Sequence, residues 1–191
     1  TMIGGTRITP LIIQADKLKC VEEICKKNYP VIEVLPLRKL KAAIVTTGNE
    51  VFYKRISNKF GPIIIEKFKE LGCSVIREVV SKDDPHMIAE LIHDLIQEGA
   101  DIITVTGGMS VDPDDVTPLG IKQTGAEIIS YGAPTFPGAM FMLSYIGKIP
   151  VLGLPGCVMY SRRTIFDLVV PRLVAGERVT REDIIKLGHG G

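Results

Sequence analysis

"ADIITVTGG", residues 100–108, is a strand-length run of apolar and β-branched residues that ends in two glycines. A strand that is apolar on both of its faces must be covered on both, as strands of a parallel sheet are. The flanking sequence agrees. Upstream, "DDPHMIAELIHDLIQEG" (83–99) opens with Asp–Pro, carries Met87, Leu91 and Leu95 in helical register and stops at Gly99. Downstream, "VTPLGIKQTG" (116–125) reads as a short helix with Thr117 as its cap and Pro118 in its first position.

The same alternation continues outward in both directions. "KAAIVTTG" (41–48), "CSVIREVV" (73–80), "AEIISYG" (126–132) and "IPVLGLPG" (149–156) read as strands. "KFGPIIIEKFKELG" (59–72) reads as a helix with Ile64, Phe68 and Leu71 on one stripe. "CVMYSRRTIFDLVVPRLVAG" (157–176) reads as a helix bent or interrupted at Pro171. Strands separated by amphipathic helices predict an α/β three-layer sandwich, a mostly parallel sheet with helices on both faces. Before it, "RITPLII" (7–13), "DKLKCVEEICKKN" (16–28, opened by Asp16) and "VIEVLP" (31–36) predict a strand–helix–strand lead-in. The expected organisation is a lead-in over 1–40, an α/β domain over 41–176 and an extension over 177–191. The termini "TMIGGTRITP" and "KLGHGG" suggest a domain cut from a longer protein.

With 191 residues, 46% of them hydrophobic, and a formal charge of +1, the chain can build one sizeable core. The charge balance gives no support for nucleic-acid or membrane-surface binding. No apolar run reaches the roughly 18–20 residues of a spanning helix, and a cytoplasmic location is expected. Cys20, Cys25, Cys73 and Cys157 lack zinc-ribbon spacing and read as reduced, mostly buried thiols. Cys157, at an expected helix start, would have a lowered thiol pKa, yet no histidine lies nearby in sequence to activate it. His86 and His93 sit seven apart on the edge of one helix, and His189 belongs to the tail.

Ligands of open parallel sheets bind beyond the carboxyl ends of the strands. Gly48, Gly107–Gly108 and Pro155–Gly156 fall at such ends, and Pro137–Gly138 precedes the last strand. Gly107–Gly108 can bring bare N–H groups up to a phosphate. It is neither a Walker loop, lacking Gly-Lys-Ser/Thr, nor a dinucleotide fingerprint, lacking the third glycine. Asp112, Asp114 and Asp115 would repel that phosphate unless a divalent cation intervenes or a carboxylate accepts from ligand N–H groups. Their alternative role is to cap and solvate a turn. Glu50 can face the same cleft or solvent, and Arg162 and Arg163 can reach a phosphate or decorate the surface.

"IVTTGNEV" (44–51), "TVTGGMSVDPDDVTP" (104–118), "FPGAMF" (136–141) and "VLGLPGCVMYSRRTIFDLVVPRL" (151–173), with "LGCSVIREVVSKDDP" (71–85) between, together resemble the molybdopterin-binding domain of molybdenum-cofactor biosynthesis proteins. That family includes molybdopterin adenylyltransferases, molybdotransferases and gephyrin-like domains. The resemblance covers roughly residues 40–176. It implies a ligand with a terminal phosphate, a dithiolene and an aminopyrimidinone edge. It places Gly48, Asn49, Gly107, Gly108, Ser110, Asp112, Pro137, Gly138, Pro155 and Gly156 in binding. It gives Asp115 and Glu50 catalytic roles, and Asp115 with Asp112 a magnesium ion. It further implies ATP or molybdate as co-substrate, other cofactor-assembly proteins as partners, and a homo-oligomer, dimer or trimer.

Three positions depart from the pattern. Asn49 stands where many members carry Asp, Ala139 where molybdotransferases carry Lys, and Cys157 where Asn is usual. Losing an acid, a base and an amide keeps the cradle but weakens the case for catalysis. The readings held open are magnesium-dependent adenylyl transfer or molybdate insertion, a non-catalytic molybdopterin carrier or sensor, and an oligomerisation scaffold.

Overall fold

The computed structural model describes residue 5 and residues 11–188. The chain divides into two compact units, Thr1–Leu35 and Pro36–Gly191.

The described residues of the first unit include helix α1 (Ala15–Lys27), which buries none of its residues. Its apolar stripe of Leu18, Val21 and Ile24 is exposed. Among the described residues the expected flanking strands are not seen. Residues 11–13 and 31–36 are irregular, and residues 7–10 lie outside the described part. An apolar run becomes a strand only where a partner takes its backbone hydrogen bonds, and none is found for residues 31–36 among the described residues. Asp16 does not cap α1 either. The N-cap is Gln14, without a side-chain bond. Cys20 and Cys25 are exposed, so two of the four thiols are not the buried ones expected.

The second unit is built on a six-stranded sheet ordered β2-β1-β3-β6-β5-β4. The strands are β1 (Lys41–Thr47), β2 (Ser74–Ser81), β3 (Ile102–Thr106), β4 (Glu127–Tyr131), β5 (Met142–Ile146) and β6 (Ile149–Leu154). β2, β1, β3 and β6 are mutually parallel. β5 pairs antiparallel with both β6 and β4, so it alone runs against the rest.

Side-chain alternation along β1 separates two cores. Ala42 and Ile44 join Ile64, Phe68, Phe166 and Val170 on one face, whereas Ala43 and Val45 join Ile88, Ile92, Leu95 and Ile121 on the other. The first face is covered by α3 (Phe60–Glu70), α6 (Ile165–Ala175) and α7 (Arg181–Lys186). The second is covered by α4 (Pro85–Gln97) and α5 (Thr117–Gln123). A three-layer sandwich results, as expected. Phe68 and Phe166 meet edge-to-face at 5.4 Å. Full burial of each such side chain contributes about 2–3 kcal/mol.

The expected caps are partly borne out. Asp84 accepts from the N–H groups of His86 and Met87 and opens α4, with Pro85 in the first turn. Thr117 does not cap α5; the N-cap is Val116, and the Thr117 hydroxyl is engaged elsewhere. The predicted helix over 157–176 is two elements, a 3₁₀ turn (Gly156–Met159) and α6. The break falls before Thr164, not at Pro171, which lies inside α6. Thr164 and Asp167 form a capping box that makes Thr164 a start signal. Neither β5, α7 nor the four-residue α2 (Asn49–Phe52) was anticipated from the sequence.

Candidate functional site

β1 is followed by α3 on one face of the sheet, and β3 by α5 on the other. The chain therefore diverges between the carboxyl ends of β1 and β3, and a crevice opens there. Gly48 leaves β1 with φ +139° and carries the β1–β2 ladder one step further, donating to Ser81 O at 3.2 Å. Asn49 follows. Its N–H donates to Asp83 Oδ2 at 2.9 Å, which ties the turn after β1 to the turn after β2.

On the other side of the crevice the chain leaves β3 through Gly107 (φ +93°) and Gly108 (φ +51°). A Cβ on Gly107 would collide with the carbonyl oxygen of Thr47, so this glycine permits close approach of two strand ends. Thr117, fully buried, donates its hydroxyl to Gly107 O at 2.8 Å. A threonine hydroxyl has one proton. Thr47 Oγ1, 3.1 Å away, must then be the donor to Thr117 Oγ1. This relay Thr47→Thr117→Gly107 locks the glycine turn onto β1 and α5. The turn is also plugged from below by Met109, 2% exposed and packed over Gly153.

Beyond the glycines the loop organises itself. The backbone N–H and the hydroxyl of Ser110 both donate to Asp115 Oδ2, the latter at 2.7 Å. Asp114 N–H donates to Asp112 Oδ1 at 3.1 Å, an Asx turn. The N–H of Gly108, by contrast, has no acceptor among the described residues.

The resulting cleft has a volume of about 410 Å³. Gly48, Asn49, Glu50, Gly108, Asp112 and Asp115 line it together, and they are six of the residues singled out from the sequence. Ser110 acts from the rim by holding Asp115, and Gly107 lies behind, packed on Thr47. Pro155–Gly156 and Pro137–Gly138 lie at the same edge of the sheet but do not line the cleft. Gly138 is buried under Ile165, and Pro137 O takes the N–H of Ile165 at 3.2 Å. That turn closes the amino end of α6 with protein atoms.

One acid of the cleft went unassigned from the sequence, Asp83, beside the recognised cap Asp84, whereas Asp114 lines it as the sequence allowed. Glu50, Asp83, Asp112, Asp114 and Asp115 face the cleft with no lysine, arginine or histidine among its lining residues. Across the edge, burial and, after it, the Asp115 charge push the Tyr131 phenol up. Among the described residues no three His, Cys, Asp or Glu side chains converge to hold a metal. Magnesium ordinarily takes one or two carboxylates and completes its shell with phosphate oxygens and water. Asp112 and Asp115 both line the cleft, and the described residues form no protein-only cage there.

Cys157 corrects a sequence expectation. Burial raises its thiol pKa instead of the helix start lowering it. His86 and His93 are exposed on α4 away from the cleft, and His189 lies outside the described residues. Arg162 and Arg163 line a different cavity of about 490 Å³ between α3 and α6. That cavity is larger, but its lysine, Lys67, is already paired with Asp167 at 2.7 Å, and it lies away from the strand ends. Among the described residues no helix is long and apolar enough to cross a membrane.

A mostly parallel sheet with a glycine turn and an acid-lined crevice at its topological divide defines the class. Residues 43–175 match the family described as the probable molybdopterin binding domain, and the chain belongs to that family. It is 24% identical over 190 residues, 94% of this chain, to the molybdopterin molybdenumtransferase of Synechococcus elongatus, and covers 45% of that protein. It is 35% identical over 77 residues to a CinA-like protein of Mycobacterium avium, covering 40% of this chain and 18% of the relative. Among solved structures, a molybdopterin biosynthesis MoeA protein from Pyrococcus horikosii superposes with a TM-score of 0.57 at 27% identity. The match covers 72% of this chain and 35% of that one. The chain thus spans less than half the length of the curated relatives it matches.

Proposed function

We propose that the crevice between β1 and β3 binds molybdopterin, or its metallated or adenylylated form, in molybdenum-cofactor biosynthesis. The observation that carries this reading is the composition of one cleft: a glycine turn with an unengaged N–H beside five carboxylates and no basic side chain. Such a lining repels a bare anion but suits a ligand with a phosphate at one end and an N–H edge at the other. The phosphate lies against Gly108 and Ser110. The aminopyrimidinone edge donates to a carboxylate, a strong two-point contact. Asp115 and Glu50 are the acids assigned to it.

In the catalytic form of the proposal, Asp112 or Asp115 would hold a magnesium ion, which would supply charge stabilisation for adenylyl transfer from ATP or for molybdate insertion. The protein then orients the reacting groups and stabilises charge, with no covalent nucleophile. A raised Cys157 pKa agrees with that choice. Self-association as a dimer or trimer belongs to the same proposal.

One observation favours a carrier or sensor instead. Asp115 Oδ2 is already taken by Ser110, Asp112 Oδ1 by Asp114, and Asn49 supplies an amide at a position where an acid would serve a metal. The two readings separate on binding of purified molybdopterin followed by pterin fluorescence, with and without magnesium and ATP. Affinity strengthened by both supports catalysis, affinity indifferent to both supports a carrier, and no binding overturns the proposal.

A further inference from the structure

At the opposite, amino-terminal edge of the sheet a second cleft of about 370 Å³ opens where β1 and β6 begin and α6 ends. Three cations line it: Arg38, Lys148 and Arg178. Its two acids are engaged by the protein. Asp101 Oδ2 accepts from Lys41 N–H at 2.8 Å, and Glu177 is paired with Arg172 at 2.6 Å. Arg178 pairs outward with Glu127 at 2.7 Å, and its guanidinium lies 4.1 Å above the Tyr145 ring. Arg38 and Lys148 have no carboxylate partner among the described residues.

Arg38 is nevertheless held in place. Its backbone N–H donates to Val174 O at 3.0 Å, and its guanidinium rests on Gly176 so closely that a Cβ there would overlap it. Gly176, at φ +93°, is the left-handed residue that ends α6. The Arg38 guanidinium is exposed, lies against Gly176 and has no side-chain acceptor among the described residues, so its forked donors are available to a bidentate oxyanion. Leu40, Pro150 and Leu173 supply an apolar floor. The volume lies at the small end of the range for ligand sites, about 300–1,000 Å³.

The geometry points to a binding site for a small phosphate monoester at this edge, its oxyanion between Arg38 and Lys148 and its organic part over Leu40, Pro150 and Leu173. The site is independent of the crevice at the carboxyl edge, and its test does not require molybdopterin. A doubly charged phosphate makes use of both free cations, whereas a carboxylate needs only Arg38.

The test is a titration of the full chain with phenyl phosphate and, separately, with benzoate, read by amide chemical shifts. Shifts centred on Gly176, Leu173 and Tyr145 are expected, with phenyl phosphate binding more tightly than benzoate. Arg38→Met and Lys148→Met should each weaken phenyl phosphate by about tenfold, and Lys122→Met on α5 should not change it. If Arg38→Met fails to fold, Lys148→Met alone carries the comparison, because Lys148 is exposed. Shifts centred instead on Gly107 to Ser110, tighter binding of benzoate, unchanged affinity in the variants, or no binding at millimolar phenyl phosphate would each overturn the assignment.

Discussion

Asn49 and Asp83 hold each other across the tops of β1 and β2. The backbone N–H of Asn49 donates to Asp83 Oδ2 at 2.9 Å, and Asp83 N–H approaches Asn49 Oδ1 at 3.4 Å. An amide fits here because it places no second negative charge beside Asp83. Asn49→Asp should therefore destabilise the protein by about 0.5–1 kcal/mol without magnesium, through like-charge repulsion at a partly solvated site. Magnesium should restore the loss if the cleft holds a cation. Thermal melts with and without magnesium measure it, and a melt indifferent to the ion would argue against a metal role for this edge.

The threonine relay behind the glycine turn should matter for both stability and binding. Thr117→Val keeps the shape but leaves Gly107 O without its donor and Thr47 without its acceptor. Leaving buried polar groups unsatisfied costs about 1–3 kcal/mol. Urea unfolding should show that loss. Thr117→Ser should recover most of it, since the hydroxyl returns.

Asp183 makes α7 sensitive to acid. Hydrogen bonds from Thr180 and Arg172 hold its carboxyl well below the usual carboxylate range. A lowered folded-state pKa means that the stabilisation is fully present above the unfolded value, near 4, and is lost as pH falls below it. The stability difference between wild type and Asp183→Asn should be about 1 kcal/mol at neutral pH, typical of a lost cap, and should shrink steadily below pH 4. A difference that grows in acid would reverse the sign and the argument with it.

Thiol labelling should divide the cysteines into two pairs. Cys20 and Cys25 are exposed, while burial raises the pKa of both Cys73 and Cys157. At neutral pH a disulfide reagent should modify the first pair well before the second, because the thiolate is the reactive form. Mass spectrometry of partially labelled protein reads the order. Cys157→Ser should leave binding at the crevice unchanged.

Much of this architecture is legible in the residues, and the failures have physical causes. β1, β3 and β6 are buried on both faces, so their apolar runs stand out against the helices. β5 does not stand out, because "FMLSYIGKIPVLGL" is apolar on both sides of a turn at Gly147–Lys148. The Gly–Lys pair between two apolar runs is the signal that would have split it, and Gly147 takes the positive φ of such a turn. "VIEVLP" is irregular for the opposite reason: it has the right composition but no neighbour to pair with among the described residues. At the site, glycines at strand ends found the crevice, and local spacing found the aspartates. Asp83 was masked by Asp84, whose capping role is local. Only the register of β1 against β2 brings Asp83 opposite Asn49.

The reversed direction of β5 sorts the connections of the sheet by their tolerance of length change. The residues between β4 and β5 reach the same edge as the exits of β1, β3 and β6, whereas Gly147–Lys148 joins β5 to β6 at the other edge. Insertions in segment 132–141, none of which lines the crevice, would lengthen an outer connection while leaving every strand pairing intact. One extra residue at Gly147–Lys148 would shift β5 by one position against β6 and turn Leu143 and Tyr145 from one core into the other. The first connection therefore tolerates changes of length that the second does not.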